Sequence, residues 1–241
     1  MDASPSDPTP ATFTRLPLFP LESVLFPGGL LPLQIFEVRY LDMIGRCHKA
    51  GTPFGVVCLS AGREVRQRDA NDGPTGDAFA QEAFFPVGTL ARIDELQRPR
   101  PGLMMIRCTG TRRFRIERSA QQKFGLWAGD VSLIDADAAV PVPDDLAFAR
   151  DALQALVQDI EARIDSGAES ADEPGGGQAG TELPLRKPYQ WNDCGWLANR
   201  WCELLPLSPA LKQSFMALDS PLLRLELVAD TLGQMGFALP R

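Results

Sequence analysis

The chain has 241 residues, 44% of them hydrophobic and 23% charged, with a formal net charge of −7 at pH 7. A soluble protein of this size buries roughly 70 to 75% of its unfolded surface, so it needs neither metal nor disulfide to fold. The acidic balance argues against attachment to phosphate backbones, which draws on clustered positive charge, and makes nucleic acid a disfavoured partner.

Residues 1–13 are rich in Pro, Ser, Asp and Thr and are expected to form a disordered leader, with folding starting near Arg15. The leader lacks the basic start and apolar stretch of a secretion signal, and no apolar run reaches the roughly 18 residues of a membrane helix, so a cytoplasmic protein is expected. From Leu16 to Ile44 the chain reads LPLFPLESVLFPGGLLPLQIFEVRYLDMI, with prolines at 17, 20, 27 and 32. Each removes a backbone donor, which predicts short or edge strands. Pro27-Gly28-Gly29 is placed to reverse the chain between Val24-Leu25-Phe26 and Leu30 to Ile35. Phe36, Tyr40, Leu41, Ile44 and Cys47 then recur at helical spacing, and Gly51 is placed to end that helix.

Phe54 to Leu59 suits a buried strand, and Ser60 to Glu82 reads as a hairpin with a mobile tip at Asn71-Asp72-Gly73-Pro74. Val87 to Leu96, Leu103 to Cys108, Arg112 to Glu117 and Leu126 to Ile134 have strand composition, and their spacing predicts a small closed or nearly closed barrel. Beyond Pro143 the period changes. Leu146, Ala149, Leu153, Leu156, Val157, Ile160 and Ile164 form one helical stripe with Asp144 or Asp145 as N-cap. Ser166 to Gly180 is acidic and glycine-rich, within a flexible loop expected over 166–188. Ser208-Pro209 and Ser220-Pro221 each place a capping hydroxyl before a proline at the first helical position. These readings divide the chain into a β-rich part at 14–140 and a helical part at 141–241.

Three blocks, Leu16-Pro17-Leu18-Phe19-Pro20-Leu21, Phe26-Pro27-Gly28 and Ile35-Phe36-Glu37-Val38-Arg39-Tyr40, closely resemble the opening of the Lon protease N-terminal, or substrate-binding, domain. Val87 to Ile93 with Gly110 to Ile116 is similar to the family's paired strands, and Leu204-Leu205-Pro206-Leu207-Ser208 precedes a helix as it does there. The resemblance implies an α+β fold: an N-terminal β-rich, PUA-like pseudo-barrel followed by a C-terminal α-helical bundle. It also implies recognition of polypeptide substrates. The sequence contains no GxxxxGK[ST] phosphate loop, so a standalone member without the ATPase and Ser-Lys protease modules is expected.

No catalytic residue, metal site or cofactor is expected. The five cysteines are odd in number, and no two are separated by two residues, as a disulfide framework or zinc knuckle would require. The single histidine, His48, adjoins Cys47 on the first helix, where adjacent side chains diverge by about 100° and cannot form a nucleophile–base pair. Glu37, Arg39 and Tyr40, with Asp42 nearby, read either as a recognition patch or as helix-end charges that pair with one another. Trp191 and Trp196, with Trp201, step around a helix and read either as a peptide-contact area or as packing. Arg107, Arg112, Arg113, Arg115 and Arg118 read as the solvent face of a half-buried strand or as an RNA-contacting stripe. The function expected is therefore a noncatalytic module for unfolded or apolar polypeptide segments, an adaptor in protein quality control serving a protease or chaperone partner. The alternative is an RNA-binding accessory protein.

Overall fold

A computed structural model describes residues 11–61, 82–166 and 185–236. The chain forms two compact units, one holding Met1–Val24 and Pro32–Ala136 and the other Leu25–Leu31 and Asp137–Arg241. The first is β-rich and the second is helical, apart from the short Leu25–Leu31 excursion.

The first unit contains β1 (Thr12–Leu21), β2 (Leu30–Ile35) from Pro32 onward, α1 (Val38–Ala50), β3 (Phe54–Ala61), β4 (Ala83–Phe84), β5 (Val87–Arg100), β6 (Leu103–Gln121) and β7 (Trp127–Leu133). The strand order is β1-β7-β6-β5-β3-β4, with β2 beside β6. A parallel β1–β3 pairing at Leu18 to Leu21 joins the two ends, so that β1, β7, β6, β5 and β3 form a closed ring of hydrogen-bonded pairs. Closure removes the exposed edges that an open sheet of this length would carry.

β1 is longer than its prolines predict. It pairs with β7 from Thr12 to Leu18 and with β3 from Leu18 onward, so Pro17 and Pro20 each have a partner strand on one side only. The missing N–H can face the unpaired side. The strand also begins at Thr12, inside the expected leader, because Phe13 packs against the ring's core and pairs with Val131. Val24-Leu25-Phe26 is not a strand, although the turn after it forms, with the Gly29 N–H donating to the Phe26 carbonyl at 3.0 Å. The two strands expected on either side of Thr109-Gly110-Thr111 are one continuous β6, since Gly110 stays in register with Ala91 across a local irregularity. Leu59 pairs with Phe84 and Ala61 with Ala83, forming the base of the expected hairpin. Its tip and the Asn71-Asp72-Gly73-Pro74 turn lie outside the described residues.

Leu16, Leu18, Val57, Leu90, Phe114 and Val131 fill the ring. Phe114 sits over Gly55 and Gly88, where an added Cβ would come within 2.8 Å and 2.5 Å of the ring's Cζ. Helix α1 turns Tyr40, Met43, Ile44 and Cys47 inward, stacks Tyr40 on Phe19 at 4.2 Å between ring centroids, and ends at Gly51 with a φ of 64°.

In the second unit α2 (Ala147–Asp165) follows a short 3-10 turn at Asp144–Leu146, and neither aspartate caps it by a side-chain hydrogen bond. Helices α3 (Cys194–Leu204), α4 (Pro209–Met216) and α5 (Pro221–Gln234) are capped by Asp193, Ser208 and Ser220 respectively. Arg224 of α5 is fully buried and spends all five N–H donors: two on Asp137, one on Asn199, and one each on the Phe215 and Leu218 carbonyls. Arg200 of α3 donates to the Pro27 carbonyl and to Glu203, both at 2.8 Å. That anchor explains why Leu25–Leu31 belongs to the helical unit and why a single cut near residue 140 does not describe the chain. Burial pushes the Glu203 carboxyl up to about 8, against the pull of Arg200 and Lys212. Leu185 is buried and Lys187 pairs with Glu161 at 2.9 Å, so 185–188 are held within the expected loop, whose residues 167–184 lie outside the described ones.

A Cβ at residue 88 would also meet the Val56 carbonyl at 2.5 Å, a backbone atom that cannot rotate away. Gly88→Ala is therefore expected to destabilise the chain by about 1–3 kcal/mol, the usual range for overpacking, read as a lower urea midpoint with unchanged slope.

Candidate functional site

An open groove of about 1250 Å³ in the first unit is lined by the start of β1, the first turns of α1 and the segment 121–128. Arg39 joins two of these walls. Its Nε donates to Glu37 Oε2 at 2.8 Å, and its Nη1 donates to the Gly125 carbonyl at 2.7 Å. Nη2 lies 3.8 Å from Glu82 Oε1 and makes no hydrogen bond of its own. The other Glu82 oxygen accepts from Trp127 Nε1 at 2.6 Å. Beneath the guanidinium, 4.3 Å away, lies the Tyr40 ring. The Arg39 side chain is 7% exposed, so it holds the groove's shape rather than offering a contact surface. Glu37 and Arg39 thus pair with one another as the helix-end reading expects, and Tyr40 serves as packing.

What Arg39 fixes is the turn at Lys123–Gly125. Within it Phe124 adopts φ 63° and ψ 17°, the left-handed region. Arg15, in β1, has φ 54°. Among the described residues these are the non-glycine residues with positive φ, and both line the groove. A left-handed conformation costs an L-residue roughly 1–2 kcal/mol, and such strain persists where surrounding bonds over-determine it. Here Arg15 Nη2 donates to Gln122 Oε1 at 2.9 Å and the Arg15 N–H donates to Asp130 Oδ1 at 3.0 Å. The Gln122 N–H donates to the Leu126 carbonyl at 2.6 Å. The consequence is display: Phe124 is 86% exposed and Val38 81%, both on the groove, and Phe36, two residues before Val38, is 57% exposed. Exposed apolar side chains gathered on a concave surface mark interaction sites, whereas scattered ones do not.

Trp191 and Trp196 belong to the second unit. Asp193 accepts from the Trp196 N–H at 2.7 Å and so starts α3 after Trp191, which therefore lies in the lead-in turn and does not share a helix with Trp196. The two rings meet edge to face at 5.2 Å, and Tyr189 packs on both at 4.9 Å and 6.1 Å. Trp201 is buried and donates to the Ala149 carbonyl at 2.9 Å, a packing role.

All five cysteines are buried, and burial raises every thiol above its ordinary value, Cys58 and Cys194 to about 11 and Cys108 and Cys202 to about 12. Such thiols are poor nucleophiles at neutral pH. Cys47 faces the core while His48 is exposed, the divergence expected of helix neighbours. Among the described residues no group of three or more His, Cys, Asp or Glu is placed to hold a metal ion, and no helix is long and apolar enough to cross a membrane.

The arginine stripe is not a single solvent face. Arg113 is 4% exposed, while Arg115 and Arg118 stand in solvent, so alternation along β6 alone does not decide which residues are wet. Arg112 lies 3.7 Å from Asp135 and Arg118 lies 3.9 Å from Asp130, so both face carboxylates within the unit. The RNA reading gains no support from this arrangement.

Of the candidates named at the helix entry from the sequence, Glu37 and Arg39 line the groove, whereas Phe124, Val38 and Arg15 were not singled out as contacts. One signal was available: a phenylalanine before a glycine inside the polar turn after Gln121-Gln122-Lys123.

Residues 15–234 match the family model of the ATP-dependent protease La (LON) substrate-binding domain. The chain is 28% identical over 109 residues to the Lon protease of Cytophaga hutchinsonii, a match covering 45% of this chain and 12% of that protein. The crystal structure of a Lon N-terminal domain protein from Xanthomonas campestris superposes with a TM-score of 0.63 at 28% identity, covering 90% of this chain and 98% of that one. The N-terminal domain of a Mycobacterium avium complex Lon protease shares the fold, with a TM-score of 0.52, 16% identity and coverage of 89% and 96%. The β-rich first unit, the helical second unit and a match running through both lead to one assignment: the chain belongs to the Lon substrate-binding domain family.

Proposed function

We propose that this protein is a noncatalytic module that receives unfolded or exposed apolar segments of other polypeptides in the groove between α1 and the 122–126 turn. The observation that carries this reading is Phe124, an aromatic ring in solvent at the groove on a left-handed backbone, next to the Gly125 carbonyl that Arg39 holds. A fold that tolerates strain to present an aromatic is displaying an anchor, and aromatic anchors dominate the energetics of protein interfaces. The groove exceeds the roughly 300–1,000 Å³ of an ordinary small-molecule site, is open along its length, and has walls of mixed apolar and polar character, which suit a chain segment. The module acts by contact, holding client chains for a proteolytic or chaperone partner.

Phe124→Gly separates display from stability. Removing the side chain relieves a left-handed strain of about 1–2 kcal/mol, so the urea midpoint is expected to stay or rise, while affinity for reduced, carboxymethylated casein falls about tenfold by fluorescence anisotropy. Unchanged casein affinity would remove the groove from consideration. Arg39→Met is expected to act in the opposite sense on stability. It strands the Glu37 carboxylate, removes the cation facing Glu82 and takes a donor from the Gly125 carbonyl, and should cost about 3 kcal/mol in urea unfolding, as expected for one half of a largely buried pair.

A further inference from the structure

We propose that the groove selects segments in which a bulky apolar residue stands beside Asp or Glu, the apolar side chain packing on Phe124 and Val38 and the carboxylate meeting Lys123 and Arg15. This deepens the polypeptide-binding reading and rests on it. The argument is charge complementarity. The groove is lined by four cationic side chains, Arg15, Arg39, Arg46 and Lys123, and by two carboxylates, Glu37 and Asp42. Both carboxylates are already matched, Glu37 by Arg39 at 2.8 Å and Asp42 by Arg46 at 3.1 Å. Two positive charges remain. The Arg15 guanidinium donates to the neutral Gln122 amide, and Lys123 has no carboxylate partner among the described residues. In a chain whose formal net charge is −7, the side chains lining this groove carry two more cations than carboxylates, while Glu82 lies 3.8 Å from Arg39 and Asp130 accepts from the Arg15 N–H.

The position of that excess matters as much as its sign. Lys123 is the residue before Phe124 and Arg15 is tied to Gln122, so both charges flank the displayed ring. A ligand side chain seated on Phe124 brings its own neighbours within reach of one or the other, since adjacent residues of an extended chain are about 3.3 Å apart along its axis. An acidic neighbour gains an ion pair. A basic one meets repulsion, which is how a rim discriminates without contributing much affinity of its own.

The test uses the full chain and three labelled, unstructured peptides of equal length. Each has a central Leu-Phe pair flanked by Glu, Ser or Lys, and binding is followed by fluorescence anisotropy at low and high salt. The Glu peptide is expected to bind about fivefold tighter than the Ser peptide and the Lys peptide more weakly still, with the spread narrowing as salt screens the rim. Lys123→Glu, an exposed substitution, takes the two unmatched positive charges to no net charge and is expected to bring the Glu and Lys peptides to within about twofold of each other. Equal affinity for all three, or a spread unchanged in the Lys123→Glu variant, would overturn the acidic preference and leave the groove reading standing. No binding of any peptide would overturn both. Tighter retention of a labelled oligouridylate than of the Glu peptide would assign the charge to a nucleic acid instead. A dimer that Lys123→Glu dissolves, with peptides unbound, would assign the groove to a second copy of the chain.

Discussion

The change of partner at Leu18 governs the β-rich unit. Up to that residue β1 is held by β7 alone; beyond it β1 lies parallel to β3 and closes the ring. Leu18 is fully buried and in register with both Trp127 and Gly55, so one residue belongs to both ladders. The closing half gives the ring its continuity and buries Phe19 against Tyr40 and Phe54. The earlier half has one partner, and there the strand departs from regular geometry, with a register shift between Phe13 and Leu16 and left-handed Arg15 inside it. Closure and groove are consequences of the same pairing. A strand laddered on both sides along its whole length could not accommodate Arg15 as it stands.

The helical unit is organised around charge buried under full compensation. Arg224 replaces its lost hydration with five acceptors drawn from Asp137, α3 and the α4 terminus, which is the condition under which a buried guanidinium does not oppose folding. Arg200 does the same less completely, since its Nε makes no hydrogen bond. Its contact with the Pro27 carbonyl nevertheless gives the Phe26-Pro27-Gly28 motif a physical meaning. Gly28 has φ 76° and an added Cβ there would lie 3.2 Å from the guanidinium, while one on Gly29 would lie 2.1 Å from Glu203 Oε1. Gly28 is favoured by its positive φ, and both glycines lie against an arginine and a glutamate more than 170 residues away in sequence.

Much of this fold was legible because local chemistry and final structure agree. Ser208-Pro209 and Ser220-Pro221 start helices, Gly51 ends one, and the stripe from Ala149 to Val157 is buried, each decided within a few residues. The misreadings fall where a distant partner overrides a local rule. Pro17 and Pro20 sit inside a ten-residue strand because pairing is one-sided there, and Gly110 does not interrupt β6 because its neighbours across the ladder hold it. Arg113 is buried although Arg115, two residues on, is exposed. The site was half legible for the same reason. Glu37 and Arg39 occupy a recognisable helix entry, but the exposure of Phe124 follows from a hydrogen bond between residues 86 apart in sequence, and no window of neighbouring residues contains that information.

Magnitudes indicate what kind of binding such a groove can support. One apolar side chain packed against Phe124 and Val38 contributes about 2–3 kcal/mol on area grounds, and each rim ion pair adds at most about 1 kcal/mol. Association itself costs several kcal/mol in lost translational and rotational freedom, and ordering a flexible client costs more. One anchor and two charges do not offset those costs, so a ligand must place further side chains along the groove, and even then the complex is weak and short-lived. That suits a recognition module better than a tight receptor. Under the proposed reading, clients that expose apolar side chains in several registers would sample the anchor repeatedly, whereas folded proteins, with such side chains buried, would find little to place on it. On that same reading, discrimination between folded and unfolded chains would need no sequence reading beyond a preference in charge, and would rest on where Arg39 holds a single turn of the chain.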